Sequence, residues 1–408
     1  MYVKRKIEDK FASYLKEPEI LALVGPRQCG KTTLLQNLSR AFGDRAVYLT
    51  FEDQKLLDLF ENHIDNFIEL YHGKFDCIFI DEFQYAKNGG KLLKYWYDTR
   101  WDKIVVSGSS VIDLTVKAVK FLVGRILVFN LYPFDFEEYL SAKNPDLASV
   151  YRNHRRQLDS LAPSEAPAAN WHEQFLPFME DFIIYGGYPR VVLAGNAELK
   201  TELLKNIYNN FFLKEVRDIL GLIDDFRLAK LVQALALQIG NLIEYKELSQ
   251  VSEMSFPTVK KYCNFLSKTF VCRFLKPFKT NRRSQLVKSP KVYFSDTGLR
   301  NYIVNDFRPV DSRLDGGALL ENAAAAQIAK QNLELYYWRT KKGSEVDFVV
   351  DLPERRKLAL EIKKMLNPQD IRAKNVLEFS KTYPDIPLVF IYLKSKASAR
   401  TAWPIYFL

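Results

Sequence analysis

Cysteine is scarce in this sequence, and no paired spacing connects the cysteines that are present. Four cysteines occur among 408 residues, at positions 29, 77, 263 and 272. This pattern argues against a zinc finger and against a disulfide framework. The sequence also lacks an apolar run long enough to span a bilayer, and its basic first residues lead into charged ones rather than into the apolar core of a signal peptide. We therefore expect a protein of the reducing cytoplasm with no membrane partner.

Positive charge is in excess. Lysine and arginine outnumber aspartate and glutamate, 59 to 49, which gives a formal net charge of +10 and a pI near 9.1. Such an excess favours a polyanionic partner, because clustered Lys and Arg gain affinity by releasing counterions from phosphate backbones. A generally basic, solvated surface is the alternative. An apolar content of 48% is typical of a globular chain, and the length predicts two to four domains.

A glycine-rich stretch matches the pattern G-x-x-x-x-G-K-[ST]. It consists of Gly25, Pro26, Arg27, Gln28, Cys29, Gly30, Lys31, Thr32 and Thr33. The stretch follows the apolar residues 20–24 and precedes a helical pattern of leucines. A strand, a glycine-rich turn and a helix in this order direct backbone N–H groups and a helix N-terminus at phosphates. We expect this stretch to bind ATP, with Lys31 at the β- and γ-phosphates and Thr32 on Mg²⁺.

Two acids end a later apolar strand. Residues 77–80 precede Asp81 and Glu82, and ligands of open α/β sheets bind at the carboxyl ends of the strands. Asp81 is expected to coordinate Mg²⁺, and Glu82 to polarise the attacking water. The strand at 103–106 then ends in small polar residues, among which Ser107 or Ser109 is the candidate sensor of the γ-phosphate.

The order of these elements predicts a doubly wound α/β fold with a parallel sheet. Arg125 precedes one more strand-like run, 126–129. Its guanidinium group could neutralise transition-state charge in its own site or in that of a neighbouring subunit. Pairing with a core acid is the alternative.

Taken together, these motifs resemble those of archaeal and bacterial AAA+/STAND-type P-loop ATPases whose C-terminal domain has a restriction-endonuclease-like fold. The segments that carry the resemblance are 25–33, 81–84, 107–110, 124–125, 185–189 and 290–299. The resemblance implies an AAA+-like ATPase core. It also implies that Pro189, the last residue of a Gly-x-Pro motif, contacts the adenine side of the nucleotide. A rigid turn is the plainer explanation for that motif.

Residues 226–303 change to short helices followed by a basic stretch, which is the pattern of a winged helix. The helix from Thr258 is predicted to bury Val259, Tyr262 and Leu266, and its other faces carry Lys260, Lys261, Asn264 and Lys268. Between 273 and 300 the basic residues are Arg273, Lys276, Lys279, Arg282, Arg283, Lys288, Lys291 and Arg300. We expect this helix and this stretch to contact DNA phosphates. A nucleotide-dependent lever that closes on the ATPase core is the alternative.

Four residues of the C-terminal part resemble the constellation of PD-(D/E)xK nucleases. They are Glu321, Asp347, Glu361 and Lys363. Strand alternation places Glu361 and Lys363 on the same face. The resemblance implies that the three acids bind Mg²⁺ or Mn²⁺ and that Lys363 positions water or stabilises charge. A binding scaffold without cleavage is the alternative.

The sequence thus predicts four parts: an ATPase core at 1–140, a helical region with an Ala/Pro/Ser-rich linker at 141–225, a winged helix at 226–303 and a nuclease-like α/β domain at 304–408. We expect a Mg²⁺-dependent ATPase that couples its nucleotide state to DNA binding and to metal-dependent DNA cleavage. One alternative is a nucleotide-switched signalling or defence protein whose nuclease-like domain only binds partners. Another is a ring-forming homo-oligomer that remodels branched DNA.

Overall fold

The chain folds into two compact units. The computed structural model describes residues 2–108, 121–154, 169–209, 225–279, 289–397 and 401–408. The first unit comprises Met1–Phe134 with Lys268–Phe270, and the second comprises Asp135–Ser267 with Val271–Leu408. The expected divisions after residues 225 and 303 therefore fall inside the second unit. Most of the expected Ala/Pro/Ser-rich linker, 160–169, lies outside the described residues.

The first unit alternates strands and helices. Its described strands are β1 (Ile20–Val24), β2 (Ala46–Thr50), β3 (Cys77–Asp81), β4 (Ile104–Gly108) and β5 (Ile126–Asn130). Its described α-helices are α1 (Lys6–Ser13), α2 (Lys31–Phe42), α3 (Gln54–Asn62), α4 (Ile64–Tyr71) and α5 (Gly89–Thr99).

These strands form one parallel sheet in the order β2–β3–β4–β1–β5. Strand β4 thus lies between β1, which leads into the glycine-rich stretch, and β3, which ends in Asp81. Because parallel strands share one carboxyl edge, the residues that follow β1, β3 and β4 meet at the same side of the sheet. The predicted α/β fold with a parallel sheet is confirmed.

Side-chain alternation along the central strands builds a hydrophobic core on each face of this sheet. In β1 every residue is buried. Ile20, Ala22 and Val24 pack into one core, whereas Leu21 and Leu23 pack into the other. Successive side chains of a strand point to opposite faces, so helices cover both sides of a strand that is apolar throughout.

The second unit begins with helices. Those described before the second sheet are α6 (Phe136–Lys143), α7 (Pro145–His154), α8 (Ala169–Tyr185), α9 (Pro189–Val192), α10 (Ala197–Asn206), α11 (Asp225–Leu237), α12 (Tyr245–Ser252) and α13 (Phe256–Lys268). The later helices are α14 (Thr297–Ile303), α15 (Gly316–Lys330) and α16 (Lys374–Thr382). None of the helices described in either unit is both long and apolar enough to span a lipid bilayer.

A mixed sheet organises the rest of this unit. Its strands are β6 (Cys272–Pro277), β7 (Lys291–Phe294), β8 (Glu334–Arg339), β9 (Glu345–Asp351), β10 (Lys357–Leu366), β11 (Leu388–Ser395) and β12 (Ala402–Pro404). Their order is β12–β11–β10–β9–β8–β6–β7. The strands β6 and β7, expected to belong to a separate winged helix, therefore extend the sheet of the C-terminal part.

Candidate functional site

The glycine-rich stretch forms the turn from β1 into α2. Gly30, with φ of 100°, caps α2 at its N-terminus, and this left-handed conformation favours glycine. At Gly25 a Cβ atom would lie 2.0 Å from the carbonyl oxygen of Leu131, so a larger residue would force the backbone apart. Lys31 is 4% exposed, and its Nζ donates hydrogen bonds to the carbonyl oxygens of Gly25 at 2.9 Å and Pro26 at 3.0 Å. The ammonium group is thus held within the turn that would bind phosphates.

Asp81 is the point where four elements of the first unit meet. The carboxylate is 2% exposed. Its Oδ2 accepts hydrogen bonds from Thr32 Oγ1 and from Tyr48 OH, each at 2.6 Å, and its Oδ1 accepts one from Ser107 Oγ. The structure therefore brings Thr32, Asp81 and Ser107 together, as the sequence predicted; Ser109 lies outside the described residues.

Tyr48 was not recognised from the sequence. It lies on β2, which pairs directly with β3. Withdrawal from water, and then the hydrogen bond to Asp81, raise the pKa of the Tyr48 hydroxyl, so it stays a donor. The available signal was weak, since it consisted only of a hydroxyl-bearing aromatic residue in a neighbouring strand.

Glu82 leaves β3 in a left-handed conformation, with φ of 54° and ψ of 40°. Such a backbone is uncommon for a residue with a side chain and is concentrated at functional sites. Its N–H donates to Ser107 Oγ at 3.2 Å, and its Oε2 accepts a hydrogen bond from Gln84 Nε2. The Oε1 of Gln84 is buried and has no hydrogen-bond partner among the described residues. Gln84 therefore holds the carboxylate of Glu82, a role that the sequence analysis did not assign.

Arg125 lies away from these residues. It precedes β5, and Ile126 pairs with Ile20 at the amino end of β1, whereas the glycine-rich turn follows the carboxyl end. A five-residue strand is about 17 Å long. The side chain pairs with Asp98 of α5, with Nε 2.7 Å from Oδ1. The structure thus does not bring Arg125 to its own phosphate-binding edge. The arginine pairs with an exposed acid of α5 rather than with the core acid considered as the alternative.

Pro189 is the first residue of α9 in the second unit. Tyr188 caps this short helix with an extended backbone, and proline suits its first position because no N–H is needed there. The predicted contact with the adenine side of a nucleotide stays a prediction.

A second cluster of ionisable groups lies in the second unit. We call Glu321 of α15, Glu345 and Asp347 of β9, and Glu361 of β10 the carboxylate cluster. Glu321, Asp347 and Glu361 are close enough to influence one another electrostatically. Lys363 Nζ donates to Glu361 Oε1 at 2.8 Å, which places both side chains on one face as predicted. The sequence thus identified three of the acids and the lysine.

Asp347 also completes the backbone hydrogen bonding of β10. The last registered pair between β9 and β10 on this side is Phe348 with Leu360. Beyond it, Asp347 Oδ2 accepts a hydrogen bond from the N–H of Ile362 at 2.7 Å. A carboxylate replaces a strand carbonyl at this point, so β9 and β10 diverge with Asp347 between them.

The sequence analysis did not assign Lys291, Tyr293 or Glu345 to this cluster. Lys291, whose side chain is 3% exposed, forms an ion pair with Glu345 Oε1, and its Nζ lies 3.8 Å from Glu321 Oε2. Tyr293 OH donates to the same Glu321 oxygen at 2.9 Å. Lys291 and Tyr293 both come from β7, two residues apart, which is the spacing of side chains on one face of a strand.

The electrostatics of the carboxylate cluster reflect its withdrawal from water. Loss of solvent raises the pKa of Asp347 well above its usual range, and the neighbouring charges of Glu321 and Glu361 raise it further. The pKa of Glu321 is raised for the same first reason, against the opposing effect of Lys291. For Lys291 itself, burial lowers the pKa, but Glu321 and Glu345 outweigh it and raise the net value.

The described side chains of the carboxylate cluster are not arranged to hold a metal ion. Across the described ranges, no three or more His, Cys, Asp or Glu side chains are placed so that they could hold a metal ion. One feature nevertheless suits a hard cation: Glu361 is 4% exposed, and its Oε2 is buried with no hydrogen-bond partner among the described residues. A buried carboxylate oxygen without a partner is costly unless a cation or proton satisfies it.

The basic residues of the expected wing are not all at the surface. Arg300 is 1% exposed and Lys291 is 2% exposed. Arg300 pairs with Asp315 at 2.6 Å, and Lys291 pairs with the carboxylate cluster. The expectation that these two residues contact DNA phosphates is therefore wrong. Arg282, Arg283 and Lys288 lie outside the described residues.

Sequence comparison divides the chain into three matched regions. Residues 17–140 match a family described as the AAA domain. This part of the chain is therefore similar to AAA domains. Residues 177–309 match a domain of unknown function (DUF8612), and residues 316–408 match another domain of unknown function (DUF4143). The match to the AAA domain agrees with the geometry around Lys31, Thr32, Asp81 and Ser107.

Relatives extend over most of the chain. An uncharacterised protein of Methanocaldococcus jannaschii is 23% identical over 406 residues, which cover 96% of this chain and 84% of the relative. An uncharacterised protein of Haemophilus influenzae is 24% identical over 320 residues, 74% of this chain and 72% of the relative. Among solved structures, the Walker-type ATPase of Pyrococcus abyssi is similar with a TM-score of 0.48 and 16% identity, covering 74% of this chain and 96% of that one.

Proposed function

We propose that the chain binds and hydrolyses ATP at the turn between β1 and α2 and uses its nucleotide state to control DNA binding. The observation that carries the ATPase assignment is the convergence on Asp81 of Thr32, Tyr48 and Ser107 from three other elements. The backbone N–H groups of residues 25–33 would bind phosphate oxygens. Lys31 would replace its hydrogen bonds to the carbonyls of Gly25 and Pro26 with contacts to the β- and γ-phosphates.

Mg²⁺ fits the oxygen donors at this edge of the sheet. The hydroxyl of Thr32 and the carboxylate of Asp81 are adjacent, and both are hard oxygen ligands. When bound, Mg²⁺ neutralises charge on the phosphates. Glu82 would accept the proton of the attacking water, while Ser107 holds the backbone of Glu82 and would sense the γ-phosphate.

The test of the ATPase assignment is Lys31→Ala. We expect phosphate release to fall to background, because the residue that stabilises the transferring phosphoryl group is removed. Lys55→Ala, at an exposed lysine of α3, is the matched control and should keep the wild-type rate. Hydrolysis by Lys31→Ala at the wild-type rate would refute the assignment.

DNA binding is proposed for α11, α12, α13, β6 and β7. Three helices are followed by an antiparallel strand pair, and the segment after α11 bridges to β7 through Ile239–Val292 and Leu242–Lys291. This order of helices and short strands supports a winged helix. On α13, Val259, Tyr262 and Leu266 are buried, while Lys260, Lys261, Asn264 and Lys268 are exposed.

The exposed lysines of α13 provide the test. Lys260→Ala combined with Lys261→Ala should weaken DNA binding and reduce the slope of log K against log salt by about two, one for each lost phosphate contact. The control combines Lys205→Ala with Lys74→Ala, at exposed lysines elsewhere. It has the same net charge as the Lys260/Lys261 double variant and should bind DNA like wild type. Equal affinities for all three proteins would place the DNA contact elsewhere or remove it.

For the carboxylate cluster we propose metal-dependent cleavage of DNA. Glu321, Asp347 and Glu361 would hold Mg²⁺ or Mn²⁺, for which the partnerless Oε2 of Glu361 provides a suitable donor. The metal, when bound, activates water and polarises the scissile phosphate. Lys363, already bonded to Glu361, would stabilise the developing charge.

A catalytically inactive scaffold is the competing proposal for this cluster. It is favoured by the lack, within the described parts of the chain, of any group of acids arranged for a metal. In this case the chain would be a nucleotide-switched signalling or defence protein.

Cleavage of linear, single-stranded and branched DNA with Mg²⁺ or Mn²⁺, with and without ATP, separates the two proposals for the cluster. Active cleavage should be lost in Asp347→Ala and retained in Asp351→Ala, which alters the far end of the same strand. Retained DNA binding without cleavage by the wild type would favour the scaffold.

Homo-oligomerisation and the contact of Pro189 with the adenine side of the nucleotide are further parts of this proposal. A trans role for Arg125 would require such an oligomer. Sedimentation of the full chain with and without ATP tests assembly. Pro189→Ala should weaken nucleotide binding while leaving hydrolysis at saturating ATP unchanged.

A further inference from the structure

Lys291 is a positively charged group placed within the carboxylate cluster. Its side chain is 3% exposed, it forms an ion pair with Glu345, and its Nζ lies 3.8 Å from Glu321 Oε2. A buried ammonium group is tolerated only where acids compensate for lost hydration. Glu321 and Glu345 therefore hold the ammonium group of Lys291 in place, and Lys291 in turn holds the positions of the two carboxylates.

The charge balance of the site differs from that of a simple structural ion pair. Four acids, Glu321, Glu345, Asp347 and Glu361, act on Lys291, Lys363 or one another. Arg339 adds a third cation, with its Nη1 3.3 Å from Glu345 Oε2. If fully ionised, the four carboxylates would exceed these three cations by one charge. The buried Oε2 of Glu361, which has no hydrogen-bond partner among the described residues, would be a suitable donor for a further cation.

The positions of the acids explain how Lys291 and a metal would exclude each other. Glu321 shares its Oε2 between Tyr293 OH at 2.9 Å and the ammonium group of Lys291. Glu345 is paired with Lys291 as well, and its Oε2 lies 3.3 Å from Arg339 Nη1. In this arrangement, no three acids of the described residues are placed to hold a metal ion.

We propose that Lys291 is a tethered cation that competes with a divalent metal for Glu321 and Glu345, so that β7 sets the metal affinity of the carboxylate cluster. This inference rests on the proposed metal binding of the cluster. It assigns to Lys291 a positioning role: the lysine holds the acids in a metal-free arrangement and must release Glu321 before a metal can bind.

The experiment is calorimetric titration of nucleotide-free, full-length protein with Mn²⁺. Lys291→Met keeps the length and apolar stem of the side chain but removes its charge. We expect Mn²⁺ to bind this variant at least about tenfold more tightly than wild type, because a competing cation beside two carboxylates is lost. Lys357→Met, which removes an ion pair with Asp351 at the other end of β9, should leave the affinity unchanged.

Further variants assign the binding signal and guard against misfolding. Asp347→Asn should abolish the Mn²⁺ signal of the cluster in both the wild-type and the Lys291→Met background, which separates it from metal bound near Asp81. Lys291→Gln, which retains a polar group facing Glu345, provides a second neutral variant in case Lys291→Met unfolds, and it should also bind Mn²⁺ more tightly.

The two possible failures are distinguishable. If neither wild type nor the Lys291 variants show a signal that depends on Asp347, metal binding by the cluster and the competition are both overturned. If wild type shows such a signal and both neutral variants bind equally or more weakly, the competition alone is overturned, and Lys291 supports the metal-bound arrangement instead.

Discussion

Thr32 Oγ1 donates a hydrogen bond to Asp81 Oδ2 at 2.6 Å, across 49 positions of sequence. This bond joins the first turn of α2 to the carboxyl end of β3. Both side chains are oxygen donors of the kind that Mg²⁺ prefers. The relationship places the expected metal ligands side by side, beside the turn that would hold the phosphates.

Asp81→Asn should abolish most ATP hydrolysis. Asp81 accepts hydrogen bonds from Thr32, Tyr48 and Ser107, and an amide nitrogen would present a donor to one of them. The variant also lacks the negative charge that would face Mg²⁺. We expect phosphate release at saturating ATP to fall by at least about 100-fold, the order of several kcal/mol of lost charge stabilisation.

Asp76→Asn is the control for this change. Asp76 lies one residue before β3 and forms an exposed ion pair with Arg45, so its variant should hydrolyse ATP like wild type. Circular dichroism would establish that both variants are folded. Comparable rates in folded Asp81→Asn and Asp76→Asn would contradict the assigned role of Asp81.

Glu82→Gln should separate nucleotide binding from hydrolysis. The substitution retains size and the partner Gln84 but removes the base, so the rate should fall by about 10²- to 10⁴-fold while ATP affinity stays within about threefold. Binding of a fluorescent ATP analogue and single-turnover hydrolysis measure the two quantities. Glu69→Gln, at an exposed residue of α4, should change neither of them, and an active Glu82→Gln enzyme would require a different base.

Arg125→Ala should retain ATP hydrolysis. The side chain pairs with Asp98 at the amino edge of the sheet, and Lys94 and then Arg125 hold the pKa of Asp98 below its usual value. We expect a rate within about twofold of wild type, because an exposed ion pair contributes little. A loss of activity that Lys31→Ala subunits restore on mixing would instead show Arg125 acting on a neighbouring subunit.

Motifs that are continuous in sequence were the predictable part of the molecule. Lys31, Thr32, Asp81 and Ser107 could be placed because each follows or begins a recognisable strand or helix. The amino-edge location of Arg125 was also available from the sequence, since a residue that precedes a parallel strand lies opposite its carboxyl end. A role for Arg125 in its own site is disfavoured by this strand direction, whereas a role in a neighbouring subunit stays a prediction.

Contacts between distant strands were not predictable in this way. Tyr48 reaches Asp81 only through the pairing of β2 with β3. Lys291 and Arg300 belong to a basic stretch, and their burial depends on acids that arrive from β9 and from Asp315. Charge in a single sequence does not reveal a tertiary ion pair, so both residues were expected to face phosphate.

Asp315→Asn should destabilise the second unit in a pH-dependent manner. Asp315 pairs with Arg300 at 2.6 Å and with Arg313 at 2.8 Å, and these arginines are 1% and 4% exposed. Withdrawal from water raises the pKa of Asp315, but the hydrogen bonds from Arg313 and the charge of Arg300 outweigh this and hold it well below its usual value. At neutral pH the free energy of unfolding should fall by about 2 kcal/mol. This is less than the usual cost of leaving a buried charge unpaired, because the carboxylate is partly exposed.

The sign of the pH dependence of Asp315 follows from its depressed pKa. Stabilisation by the ionised carboxylate is fully present above the unfolded-state pKa of about 4 and is lost as the pH falls through the folded value. Urea unfolding should therefore show a difference between wild type and Asp315→Asn that is constant from pH 5 to 7 and shrinks below about pH 4. Glu354→Gln, at a side chain that is 83% exposed, should track wild type throughout. If the difference in unfolding free energy between wild type and Asp315→Asn instead grew as the pH fell, the ion pairs of Asp315 with Arg300 and Arg313 would not be the source of the stabilisation.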